Sequence, residues 1–205
     1  MFTFKKIALV GAVALTALSM SCSDDKDDGD KLDTPTAPSY KFNEPGEATI
    51  GGIGSKYGSS IDLDLNKVYK VDDLKGTVIN DVDLVFDATN IWVPLGIAES
   101  EDESIKTLVD KFKGTTSGAT IFDAKDITDG DGLVEAMWEA LPVSMGGDGG
   151  GVLTSIIATS GKTFGVITSS QNLAYVTVKA IDGEKSAKTI KLTVSLVKKE
   201  DVSGD

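Results

Sequence analysis

Ala174-Tyr175-Val176-Thr177-Val178-Lys179-Ala180 and Ile190-Lys191-Leu192-Thr193-Val194-Ser195-Leu196 decide the fold of this chain. Every second residue in both runs is apolar, which is the period of a strand with one face buried. Asp182-Gly183-Glu184-Lys185-Ser186 lies between them and supplies turn-forming residues, so the two runs read as a hairpin. Tyr175, Thr177 and Lys179 fall on its wetted face. Upstream, residues 152–158 and 163–168 flank Ser160-Gly161-Lys162 and read as a second hairpin, giving four consecutive antiparallel strands over residues 152–197. Earlier still, Ile61, Leu63 and Leu65 alternate with Asp62 and Asp64, and Val82, Leu84 and Phe86 surround Asp83.

Two segments depart from period two. Ile105, Leu108, Val109 and Phe112 share one helical face, with Ser100 and Glu103 spaced as a capping box before them. Leu133, Val134, Met137, Trp138 and Leu141 form a second such stripe, opened by Asp131 and closed before Pro142. Strands dominate, two short helices are inserted, and βαβ alternation is absent. The expected class is mainly β, an antiparallel β-sandwich with two short inserted helices. The alternative is an α+β domain with both helices on one face of a single antiparallel sheet.

Composition removes whole classes of function. The 205 residues carry a net charge of −12 and contain neither histidine nor arginine. A Ser-His-Asp or Cys-His nucleophile, an imidazole zinc site and a bidentate guanidinium clamp are therefore excluded. An excess of acid opposes nucleic-acid phosphate, so no nucleic-acid partner is expected.

Lys5 and Lys6 precede an apolar stretch over residues 7–18, and Ser19-Met20-Ser21 leads into Cys22, the single cysteine. The stretch is too short to span a bilayer. This region resembles a bacterial lipoprotein signal peptide, with Leu18 one position earlier than the usual lipobox. The resemblance implies cleavage before Cys22 and acylation of its thiol and new amino terminus, which anchors the chain in a membrane. Loss of Lys5 and Lys6 with residues 1–21 moves the charge from −12 to −14. The acidic run SDDKDDGDKLD (residues 23–33) and the prolines after it read as a disordered tether. The run also resembles the export signal of surface lipoproteins encoded with polysaccharide-utilisation systems. The expected organisation is a signal peptide (1–21), lipidated Cys22 with its tether (22–39), one β-rich domain (40–198) and a disordered tail (199–205). The expected location is the outer membrane, facing the exterior, with the periplasmic face as alternative.

Several constellations are candidates for chemistry. Asp126, Asp129 and Asp131 crowd a glycine-containing turn and could offer oxygens to Ca2+, although Ala140 stands where an EF-hand loop begun at Asp129 needs its last acid. Helix capping is the other use of Asp129 and Asp131. Met145-Gly146-Gly147-Asp148-Gly149-Gly150-Gly151 lacks the Lys-Ser/Thr of a P-loop and reads as a flexible connection. Asp62 and Asp64, about 6.5 to 7 Å apart along a strand, have a spacing a glycosidase pair could use, but their alternation is that of a solvent face. Among the aromatics, Trp92, Tyr57 and Tyr175 are candidates for stacking against sugar, with Trp92 before Pro94 expected on an edge strand or loop. Trp138 is expected in the core. No catalytic residue and no obligatory cofactor is expected. The reading from sequence is a non-catalytic, lipid-anchored envelope lipoprotein that binds a polysaccharide or an outer-membrane protein. The alternatives are an assembly subunit of an outer-membrane complex, and a glycoside hydrolase or lyase using Asp62, Asp64 or Asp83.

Overall fold

The computed structural model describes residues 39–199; the signal segment, Cys22, the tether through Pro38 and the residues from Glu200 onward lie outside the described residues. The chain runs β1 (Tyr40–Phe42), β2 (Gly46–Gly51), β3 (Ser60–Asp62), β4 (Lys67–Tyr69), α1 (Val78–Asp81), β5 (Leu84–Phe86), β6 (Asn90–Trp92), α2 (Pro94–Ala98), α3 (Lys106–Phe112), β7 (Thr120–Asp123), α4 (Gly130–Ala140), β8 (Ser155–Ile157), β9 (Thr163–Ile167), β10 (Leu173–Asp182) and β11 (Thr189–Lys199). The strands form two antiparallel sheets, β1-β11-β10-β9-β7 with β2 also paired to β11, and β4-β3-β5-β6-β8. This is the expected mainly-β sandwich.

The alternation of β10 and β11 explains the inner layer. Val176 pairs with Val194 and Val178 with Leu192, and a bulge at Lys179 precedes the hairpin tip. Their side chains meet Ile61, Leu84, Phe86 and Ile91 of the other sheet in the inter-sheet core. Both sheets also bury their outer faces. Val85, Ile97, Leu108 and Phe112 gather on one side under α2 and α3, and Phe122 and Leu133 gather on the other with Phe42, Leu173 and Tyr175 under α4. Helices therefore cover opposite outsides of the sandwich, which excludes the single-sheet alternative.

Four local expectations are corrected. Residues 152–158 do not form a hairpin with β9, because β8 pairs with β6 in the other sheet and sends Ile156 into the inter-sheet core. The strand through Ile61 stops at Asp62, so Leu65 is exposed rather than aligned with Ile61. Trp92 lies on β6, between β5 and β8, and Pro94 opens α2 at the first turn, where a missing N–H costs nothing. The capping box at Ser100 is not made. Asp102 takes the role, accepting a 2.8 Å bond from the Ser104 amide at the start of the turn that leads into α3.

Candidate functional site

The glycine-rich stretch is an ordered cap and not a flexible connection. The amides of Asp148, Gly149, Gly150 and Gly151 donate to the carbonyls of Trp138, Leu141, Glu139 and Ala140 at 3.0, 2.8, 2.7 and 3.0 Å. Those carbonyls are the ones a helix leaves unpaired at its C-terminus. Gly149 and Gly151 sit at φ +84° and +99°, and a side chain on Gly147 or Gly150 would collide with the α4 carbonyls. Trp138, expected in the core, is half-buried on α4.

Exposed apolar side chains flank this cap along the chain. Nine large apolar side chains are exposed among the described residues, and six of them are Val143, Met145, Val152, Leu153 and Ile157 together with Leu95 on α2. Backbone contacts tie the segment after the cap to both sheets and to α2. Leu153 bridges to Ile121 of β7, the Thr154 carbonyl accepts from the Val93 amide, and Gly96 lies directly against Thr154. β8 is the last strand of its sheet, and its Ile157 is 68% exposed. A terminal strand with bulky apolar neighbours is a template for added strands or an apolar partner.

The aromatic candidates are not brought together. Trp92 is half-buried in the layer beneath α2 and α3, and its Nε1–H donates to Asp87 Oδ2 at 2.6 Å. Tyr175, expected on a wet face, is half-buried on the opposite outside of the sandwich. There it stacks on Phe42 with ring centroids 5.5 Å apart. Tyr57 is exposed in the β2–β3 loop, with Lys56 Nζ 5.2 Å from its ring centre. One sugar cannot stack on all three.

The calcium candidates do not converge either. Asp129 caps α4 by accepting from the Gly132 amide at 2.8 Å, and Asp131 accepts from the Tyr40 amide at 2.7 Å. The described acidic group close enough to share an ion is a different one, Asp62, Asp64 and Asp83, with one oxygen of each inside a 4.8 Å span. Asp62 and Asp83 are 4% and 0% exposed, so the expected solvent face is wrong for Asp62. The strand ends at Asp62, and the turn after it folds inward. Asp62 Oδ1 accepts from the Leu65 amide at 3.0 Å. Asp83 Oδ2 accepts from the Leu63 amide at 2.7 Å, and Oδ1 from the Ser169 amide in the β9–β10 turn at 2.6 Å. Asp64 Oδ1 accepts from Asn172 Nδ2 of that same turn at 2.9 Å. Burial pushes the Asp83 carboxyl up to about 7 against the pull of its two backbone amides, and it raises Asp62 as well. The side-chain charges that act on them, Asp64 on both and Asp81 on Asp62, are all negative.

Asp83 was legible as a buried group, since Val82-Asp83-Leu84-Val85-Phe86 is an apolar run interrupted once, the pattern of a strand covered on both faces. Its partners were not, because Ser169 stands 86 residues away. Comparison with known proteins returns no match, whether to a family model, a curated protein or a solved structure.

Proposed function

We propose that this chain is a non-catalytic envelope lipoprotein, anchored in the outer membrane through acylated Cys22 and facing the exterior, whose β-rich domain docks a protein partner. The observation that carries the choice of partner is the series of exposed apolar side chains, Val143, Met145, Val152, Leu153 and Ile157, along the segment that leads into and through the terminal strand β8. The separation of Trp92, Tyr57 and Tyr175 weighs against a polysaccharide held on an aromatic platform. Burial weighs against a glycosidase. Asp83 is enclosed with both oxygens on backbone amides, and has no open face for a glycosidic bond.

The test uses the full-length protein in its own membrane. A photo-crosslinker at Ile157 is expected to give one discrete protein adduct, lost in Val143→Lys and Leu153→Lys and retained in Tyr57→Ala. Binding of the purified protein to a glycan array that disappears with Tyr57→Ala or Trp92→Ala, with no adduct from Ile157, overturns the reading. The anchor has a separate test. Cys22→Ser is expected to release the protein from the membrane, and a variant that stays bound with unchanged mass refutes acylation.

A further inference from the structure

We infer that the partner docks as an extended apolar segment with basic flanks, which adds a strand to the open edge of β8. This rests on the docking reading above and gives the partner its chemistry. In an antiparallel pair, alternate residues turn their N–H and C=O groups toward the neighbouring strand. The Val93 amide donates to the Thr154 carbonyl at 2.9 Å, and the Ala158 amide to the Thr89 carbonyl at 3.0 Å. Thr154 and Ala158 therefore face β6, as does Ile156 opposite Ile91. Ser155 and Ile157 hold the alternate positions, so their amides and carbonyls project away from the sheet. β8 ends its sheet, and among the described residues no hydrogen bond reaches those backbone groups.

Side chains set the centre of the added strand. Ser155 pairs with Trp92 and Ile157 with Asn90, so both lie on the outer face of their sheet. Trp92 is packed into the layer beneath α2 and α3, whereas Ile157 is left 68% exposed. An apolar residue opposite Ile157 would cover it, and cross-strand pairs of this kind stabilise a sheet. Ile156 points into the inter-sheet core, so the residue opposite it lies on that inner side and is apolar too.

Charge sets the flanks. Residues 76–105, which include β6 and α2, carry seven acidic residues and no lysine. Residues 126–161, which include α4, its cap and β8, carry six and again no lysine. Glu99 after α2, Glu139 on α4 and Asp148 in the cap are all exposed. A basic segment is drawn to such a surface, whereas a second copy of this chain would set the same lysine-free segments against each other. β8 is only three residues long, so apolar cover and charge must add to the few bonds its edge can make.

The probe is a fluorescein-labelled peptide, KKVIVKK, titrated against the full-length protein in detergent and followed by anisotropy. It is expected to bind saturably. A copy N-methylated through VIV and an acidic copy, EEVIVEE, are each expected to bind roughly tenfold more weakly, from lost backbone bonds and lost charge attraction. Ser155→Pro deletes an outward amide and spares every bond to β6, as proline on an edge strand can. It is expected to weaken binding about tenfold, whereas Ser155→Ala stays within about twofold. Ile157→Pro serves the same purpose if Ser155→Pro does not fold. No binding at millimolar peptide, equal affinity for either altered copy, wild-type affinity in Ser155→Pro, or a wild-type dimer that Ser155→Pro dissolves each overturns the inference. The docking reading is judged apart, by the Ile157 adduct in membranes: an adduct that survives Ser155→Pro leaves docking standing and overturns strand addition.

Discussion

Replacing Gly150 by alanine tests whether the glycine-rich segment is a cap or a linker. A methyl group there would lie 2.7 Å from the Glu139 carbonyl oxygen, the atom that accepts the Gly150 amide. The loop must lift away, and the bonds from Gly150 and its neighbours Gly149 and Gly151 to Glu139, Leu141 and Ala140 lengthen or break. Two bonds lost at about 1 kcal/mol each, with part of the helix end left without partners, give a destabilisation of roughly 2–4 kcal/mol. For a domain of this size that is on the order of 5–12 °C in Tm. Gly118→Ala is the internal control, since its added methyl group meets only Gln171 Nε2, at 3.5 Å. The assay is thermal unfolding by circular dichroism at fixed pH. Gly150→Ala is expected to melt well below Gly118→Ala, and to lose the Ile157 adduct because Val143, Met145 and Leu153 are presented by the capped segment. Equal melting temperatures for the two variants would refute the capping argument.

Other expectations follow from single contacts. Trp92→Phe loses the indole bond to Asp87 and is expected to cost about 1.5–3 kcal/mol in urea unfolding, while Asp87 still holds the Thr89 and Asn90 amides. Asp129→Ala removes the α4 cap and is expected to cost about 1 kcal/mol, whereas Asp126→Asn, at an exposed left-handed position (φ +62°) that asparagine tolerates, is expected to cost nothing measurable. Stability is expected to be greater at pH 5 than at pH 8. Folded Asp83, buried beside Asp62 and Asp64, holds a proton up to about pH 7 that the unfolded chain has released by about pH 4, so the native state loses stability as pH rises through that window. Urea midpoints that rise from pH 5 to pH 8 would contradict the burial of that carboxyl.

The sandwich was legible wherever one strand face meets a packed layer. Val176, Val178, Leu192 and Val194 alternate because their other faces look outward, and Leu133 with Met137 marks α4 because that helix lies on a sheet. Such patterns record burial within one element. The sheet to which a strand belongs is set by distant chain, which is why β8 reads as the neighbour of β9 and pairs instead with β6. Asp62 misleads for a related reason: alternation assumes that the strand continues, and here a turn begins. The apolar surface at Val143, Val152 and Ile157 was hidden because an exposed apolar residue and a buried one are the same letter, and only the folded end strand separates them.

Tension on the N-terminal side of the domain would enter at Tyr40. Among what meets it first are the Tyr40 amide on Asp131, a three-residue ladder to β11, the Asn43 amide on the Leu196 carbonyl, and the ring of Phe42 on Tyr175. Phe42 belongs to the outer layer with α4 and not to the core between the sheets, so β1 can peel from β11 while that core stays closed. Residues 40–45, paid out fully, add roughly 20 Å of reach before β2 takes the load. Because β8 lies in the other sheet, a partner held there would keep its footing while the attachment stretches, as a mooring line gives before the cleat.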